Sequence, residues 1–338
     1  MFAVNQPFGR TKASVIGRRM MFALLLALTG TATLGAKAQA AYPDHPVRLI
    51  VPFAAGGVAD ITARLVAEKL SDKLGERFVV ENQPGPGGIA AARSVLQSPK
   101  DGYTIAFFTN GTAISVSLFN QLGFDPLKDF VPISAIGYFD CVFVTSAASP
   151  YHSLGDVLKA ARDKPGALNL GSIVVGSTQN LTAELFKSMA GVNIVIVPFR
   201  TTPDEVVALL RDDVQMGVDF YAALKPSIVS GKAIAIATSG PQRSPELPNV
   251  PTVREGGVAN FDVTSWNALY APVGTPPEVI ETLHKALQEV LADPAVKKRA
   301  LDLGIDARAS TPAEIDARMR ADIGKWGKVI AQAGIPKQ

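Results

Sequence analysis

Cysteine is nearly absent: Cys141 stands alone in 338 residues, so no internal disulfide can form and no thiolate metal set exists. Histidine is almost as scarce. His45, His152 and His284 are scattered, with no pair at ligand spacing. The sequence has no G-x-S-x-G elbow, no H-E-x-x-H helix and no kinase signature, which removes the best-marked hydrolase, metalloprotease and phosphotransferase readings. No metal site, no cofactor and no dedicated catalytic residue is expected. Heptad arrays, low-complexity tracts and solenoid-period repeats are also missing.

An excess of either charge is missing once the first forty residues are set aside. The chain has 33 Lys and Arg against 30 Asp and Glu. Residues 1–40 hold five of the basic ones (Arg10, Lys12, Arg18, Arg19, Lys37) and no acidic one, which leaves 28 against 30. The remainder therefore lacks the electrostatic footprint of a nucleic-acid binder. Those forty residues run from basic, through the apolar stretch 20–28, to Ala38-Gln39-Ala40, the order of a secretory signal peptide cut after Ala40. The apolar stretch is too short to span a bilayer, and no second long one follows. A soluble, exported, periplasmic monomer is expected.

What is present is alternation. Strand-like runs at 47–51, 78–82, 103–109, 130–136, 141–145, 168–172, 194–197, 214–220, 233–238 and 268–271 are separated by helical patterns at 61–74, 89–96, 154–162, 179–189 and 204–210. A closing helical set follows at 278–291, 294–303 and 312–333. Such alternation predicts an α/β fold with mostly parallel sheets flanked by helices. The chain is read as leaving one lobe near 141 and returning near 240, giving lobe 1 as 41–141 plus 241–338 and lobe 2 as 142–240. Two crossings between lobes make a natural hinge.

Four loops at strand exits carry glycine or small polar residues. Phe53-Ala54-Ala55-Gly56-Gly57 with Asp60 precedes a helix, where free N–H groups and the helix dipole favour an anion; a plain turning loop is the alternative. Gly85-Pro86-Gly87-Gly88-Ile89-Ala90 fits G-x-G-x-x-A, but no acidic residue follows at ribose distance, which weakens a dinucleotide reading. Gly171 to Gly176 has P-loop spacing with Ser177 where the lysine belongs, leaving Ser177, Thr178, Gln179 and Asn180 as a cap and hydroxyl set. The fourth, 197–204, offers Phe199, Arg200 and two threonines. Asp60 and Asp219 could pair as catalytic carboxylates; a first-turn dipole partner and a strand-end acceptor are the plainer roles.

Read in order, "YPDHPVRLIVPFAAGGVAD", "VVENQPGPGGIAAA", "DGYTIAFFTNG", "GSTQNLTAELFKSMAGV", "VPFRTTPDEVVALL" and "APVGTPPEVIETLHKAL" resemble the Bug family of extracytoplasmic solute receptors, the binding components of tripartite tricarboxylate transporters. The resemblance runs from about 42 to 335. It implies a two-lobed, type II-like periplasmic-binding-protein fold and a small carboxylate ligand: a di- or tricarboxylate, an acidic amino acid or an aromatic acid. It also implies membrane transporter subunits or a sensor as partner. The family's first pincer loop maps to Phe53, Ala54, Ala55, Gly56, Gly57 and Asp60, with Thr109 and Asn110 at the next strand end. In the second lobe Ser172, Gly176, Ser177 and Asp219 match, whereas Val174 replaces a usual Gly, Asn180 a usual His, Phe199-Arg200-Thr201 a common Tyr-Lys-Gly and Phe220 a frequent Asn. Arg200 is the candidate balancing cation. An exported hydrolase or isomerase using Asp60, Asp219 or a histidine, and an orphan member without ligand, are the alternatives.

Overall fold

A computed structural model describes residues 1–3, 5, 42–56 and 58–338; the expected signal peptide therefore lies almost wholly outside the described residues, and Gly57 does too. Tyr42–Gln338 forms one compact unit. It begins with three strand–helix units: β1 (Val47–Val51), α1 (Val58–Leu74), β2 (Phe78–Asn82), α2 (Ile89–Leu96), β3 (Thr104–Thr109) and α3 (Asn110–Leu118). A long strand, β4 (Phe130–Ser146), leads to α4 (Leu154–Asp163), β5 (Asn169–Ile173), α5 (Thr178–Ala190), β6 (Val195–Phe199), α6 (Thr202–Leu210), β7 (Met216–Phe220), α7 (Tyr221–Val229) and β8 (Ala233–Thr238). The chain closes with β9 (Thr264–Pro272), α8 (Pro277–Ala292), α9 (Pro294–Leu301) and α10 (Pro312–Ala333).

The strand order is β2-β1-β3-β9-β4-β7-β5-β6, with β8 also on β4. The outer strands pair in parallel, β1 with β2 and β3, and β5 with β6 and β7. The pairings of β4 and β9 are antiparallel. β4 joins the two halves: Phe130–Asp140 lies against β9, and from Cys141 onward the strand lies against β7 and β8. The sequence reads this stretch as two strands, 130–136 and 141–145. The strand instead continues through register shifts at 132/134 and 135/137. Gly137 is needed there for close approach, since a Cβ would sit 2.7 Å from Ile305 Cγ2.

Two helices go unread in the sequence, and each follows a strand without a loop. α3 begins at Asn110-Gly111, a turn signal in isolation. Thr109 overrides it by capping the helix, accepting the Gly111 N–H while Thr112 Oγ1 accepts the Thr109 N–H. α7 contains Pro226, which reads as a breaker but is accommodated in a nine-residue helix.

β3 is buried along its whole length, so alternate side chains serve two cores. Phe107 packs with Leu49, Leu269 and Leu287 beneath α1 and α8. Phe108 belongs to the opposite core, with Tyr270, Trp266 and Trp326, and that core continues to Phe143 and Phe186 in the second half. The indole N–H of Trp266 donates to Asp322 and that of Trp326 to Asn110, so both large rings are buried without an orphan donor.

Candidate functional site

The strand exits of β1, β3, β5 and β7 meet at one cavity of about 500 Å³. Five helices begin on its wall: α1 at Val58, α2 after Gly88, α3 after Thr109, α5 after Ser177 and α7 after Phe220. Each N-terminus carries N–H groups without intrahelical acceptors and the positive end of a helix dipole. The described lining residues include no Asp, Glu, Lys, Arg or His. The cavity is thus polarised by backbone alone, and its polar side chains are hydroxyls and amides.

In the first loop, Phe53 lines the cavity and is 41% exposed, while Ala54, Ala55 and Gly56 are exposed beside it. Gly56 has φ of 91°, which only glycine adopts freely. Asp60 is buried and stands behind the loop rather than on the wall. Its carboxylate accepts the Gly56 N–H at 2.9 Å, Arg64 Nε at 3.0 Å and Asn82 Nδ2 at 2.9 Å, and the same Asn82 amide donates to the Phe53 carbonyl. Burial pushes this carboxyl up, but Arg64, the Gly56 N–H and Asn82 together outweigh it and hold it below its ordinary value. Asp60 therefore stays ionised and folds the loop over the start of α1.

Thr109 lines the cavity as the cap of α3. Asn110 is fully buried and spends its amide on structure: Nδ2 donates to Thr178 Oγ1 at 3.0 Å, and Oδ1 accepts the Trp326 indole N–H at 2.8 Å. The first residues of α3 and α5 are thereby tied together across the two halves of the molecule. Gly85 to Gly88, read in the sequence only as a weak nucleotide fingerprint, belongs to the same wall. Gly87 and Gly88 adopt φ of 64° and 69° to deliver the start of α2 there.

On the second half, Gly176, Ser177 and Thr178 line the cavity, but Ser172 and Asn180 lie behind it. Asn180 Nδ2 donates to Ser172 Oγ and its Oδ1 accepts the Gly176 N–H, so this pair holds the loop from within. Val174 and Val175, half exposed, form the rim. Gly176 has φ of 83° and touches Leu118: a Cβ would come within 2.6 Å of Leu118 Cδ2. Ser177 Oγ accepts the Asn180 N–H, leaving the N–H groups of Thr178 and Gln179 without intrahelical acceptors.

Asp219 is also buried behind the wall, where it accepts hydrogen bonds from Gln179, Thr202 and the Phe220 N–H. Burial raises its carboxyl above the ordinary range. Phe199 is half buried and packs near Gly171. Arg200 is exposed and off the wall. The reason is topological: β6 is the outermost strand of its half, so its exit lies to the side of the cavity.

Several wall residues, Phe220 excepted, carry no sequence signal. Phe139 and Phe220 meet edge to face at 4.8 Å and 80°. Ser265 and Asn267 come from β9, where Asn267 lies opposite Thr109 and Gly137. Thr62 Oγ1 donates to the Val58 carbonyl and so can only accept from Asn267 Nδ2, which leaves Asn267 Oδ1 unpartnered. The face of α3 supplies Thr112, Ser115 and Leu118. Its one legible sign is the Thr109-x-x-Thr112 cap.

Comparison with known proteins gives this arrangement a family. The model of the tripartite tricarboxylate transporter family receptor matches residues 62–335. The chain belongs to that family. Among solved structures it is similar to Rpa4515 from R. palustris with adipate, at 32% identity over 88% of this chain and 100% of the other, with a TM-score of 0.77. The periplasmic binding protein BugD matches at 31% identity, over 88% of this chain and 100% of BugD, with a TM-score of 0.73. MatC from Rhodopseudomonas palustris with bound malate matches at 29%, over 86% and 100%, with a TM-score of 0.71. The resemblance read in the sequence and the two-lobed periplasmic-binding-protein fold it implied both stand. The shared strand β4 is the means by which this receptor-family chain passes from one half to the other.

Proposed function

We propose that this receptor-family chain captures a small carboxylate in the 500 Å³ cavity and delivers it to membrane subunits of a tripartite transporter or to a sensor. The observation that carries the reading is the convergence of five helix N-termini on a wall with no ionised side chain among its described residues. An anion entering it meets donors and no acidic side chain among the described lining residues. Structural relatives with adipate and malate support the same chemistry.

Binding needs no dedicated cation. A hydrogen bond to a charged group contributes roughly 1.5–3 kcal/mol, and a helix N-terminus roughly 0.3–1 kcal/mol. Three or four such bonds reach on the order of 5–12 kcal/mol before ordering costs. A micromolar Kd needs about 8 kcal/mol. Donors on one half alone fall short of that after ordering costs; donors on both halves, such as the Thr109 and Thr112 hydroxyls on one and the Ser177 hydroxyl with the Thr178 and Gln179 N–H groups on the other, meet it. We therefore take the lobes as 42–141 with 241–338, and 142–240, closing on the ligand by population shift.

The catalytic alternative finds no support at this site. His45, His152 and His284 are not on the wall, and Asp60 and Asp219 are committed behind it. The binding residues of this reading are Phe53, Thr109, Gly176, Ser177 and Thr178. Ala54, Ala55, Gly56 and Asp60 shape the first jaw, Asn110 ties the two jaws together, and Ser172, Asn180 and Asp219 support the second. A thermal-shift screen of the exported chain against carboxylic acids and nucleotides tests it. A rise in midpoint with at least one acid, without product formation, is expected; a response to nucleotides alone overturns it.

A further inference from the structure

Resting on the carboxylate-receptor reading, we infer that the cavity selects an aromatic monocarboxylate, one charge on an apolar ring, over di- and tricarboxylates. The wall is divided. Most of its polar side chains sit at or just after the starts of α3 and α5, two helices tied by the Asn110–Thr178 hydrogen bond at 3.0 Å. The same wall carries apolar side chains: the edge-to-face pair Phe139 and Phe220, then Ile173, Val174 and Val175, with Phe53 on the first loop.

A second carboxylate has no cationic side chain to pair with on that surface. None of the described lining residues is cationic, and Arg200 lies off the wall. Behind Phe220 stand two buried carboxyls, Asp219 one residue away and Glu205 beside the same strand, and neither supplies a cation. A charge placed there is desolvated and has no counter-ion, a costly combination in recognition. An aromatic ring in the same place gains burial and edge or face contact with two phenyl rings. The volume of about 500 Å³ lies within the range of pockets that hold ring-sized ligands, roughly 300–1,000 Å³. Of the two Nε2 hydrogens of Gln179, one is already given to Asp219.

Isothermal titration of the whole exported chain with benzoate and phenylacetate, against adipate, malate and citrate, tests this. At least one aromatic acid is expected to bind tenfold or more tightly than every polycarboxylate. Phe220→Asn is expected to weaken the aromatic acid at least fivefold while leaving adipate no weaker. Val174→Ser, at a half-exposed rim position that the fold does not depend on, is expected to act in the same direction and guards against a misfolded Phe220 variant. Adipate, malate or citrate binding as tightly as the aromatic acids overturns the inference but leaves the receptor reading standing. Failure of every acid to bind overturns both.

Discussion

Glu205 gives the sharpest energetic prediction. It is 1% exposed on α6, where Oε1 accepts the Val218 N–H at 2.9 Å and Oε2 has no partner. Gly171 and Gly217 leave room for it, because a Cβ at Gly217 would stand 2.8 Å from Oε1. Burial first, and Asp219 second, push the carboxyl from 4.5 up to about 8. The folded state therefore holds a proton that the unfolded state releases, so this group's contribution to stability is complete below about 4.5 and is lost as pH rises through about 8. At about 1.36 kcal/mol per pKa unit, the loss across that window is on the order of 5 kcal/mol. Glu205→Gln keeps an acceptor for the Val218 N–H and cannot ionise. Urea unfolding at pH 5, 7 and 9 should show the variant within about 1 kcal/mol of the parent at pH 5. At pH 9 it should be more stable by several kcal/mol, on the order of the same loss. A difference that stays constant with pH would refute the reasoning.

Other positions give independent tests. Asp60→Ala removes the acceptor of Gly56, Arg64 and Asn82 and should lower stability by about 2–4 kcal/mol in chemical denaturation, with ligand affinity falling as the first loop loosens. Because the Asp60 carboxyl is held below its ordinary value, that difference between parent and variant should shrink as pH falls through the acidic range. Gly176→Ala meets both positive φ and Leu118; it should cost about 1–3 kcal/mol, and Leu118→Ala should recover part of this in a double-mutant cycle. Cys141 is 1% exposed and its thiol is raised well above the ordinary value by burial, so a thiol reagent should label it only after denaturant is added; labelling of the native chain at the unfolded rate would contradict the placement.

The local grammar of this protein was written in its sequence. Alternating apolar runs and helical periods marked most strands and helices, because burial on a sheet face and on a helix stripe leaves periods that neighbouring residues display. The strand-exit glycine loops were visible for the same reason: positive φ and helix starts are local demands, and Gly56, Gly87, Gly88 and Gly176 meet them. The helix α3 starts on Asn110-Gly111 and depends on the Thr109 cap, and β4 runs on through Gly137 because only glycine fits against Ile305, two features that periodicity along the chain does not display.

Which residues face the cavity was decided only by tertiary structure. Asp60, Ser172, Asn180 and Asp219 are the polar residues that stand out in the loops, yet each is turned inward to satisfy a nearby donor or acceptor and hold a loop in shape. The wall is completed by Phe139, Phe220, Ser265 and Asn267, which lie far apart in the chain and meet because β9 and β4 are placed between β3 and β7. Hydrogen-bond demand acts over a few residues and can be read along the chain. The shape and charge of a cavity depend on strand order, and strand order is set by which apolar faces bury one another.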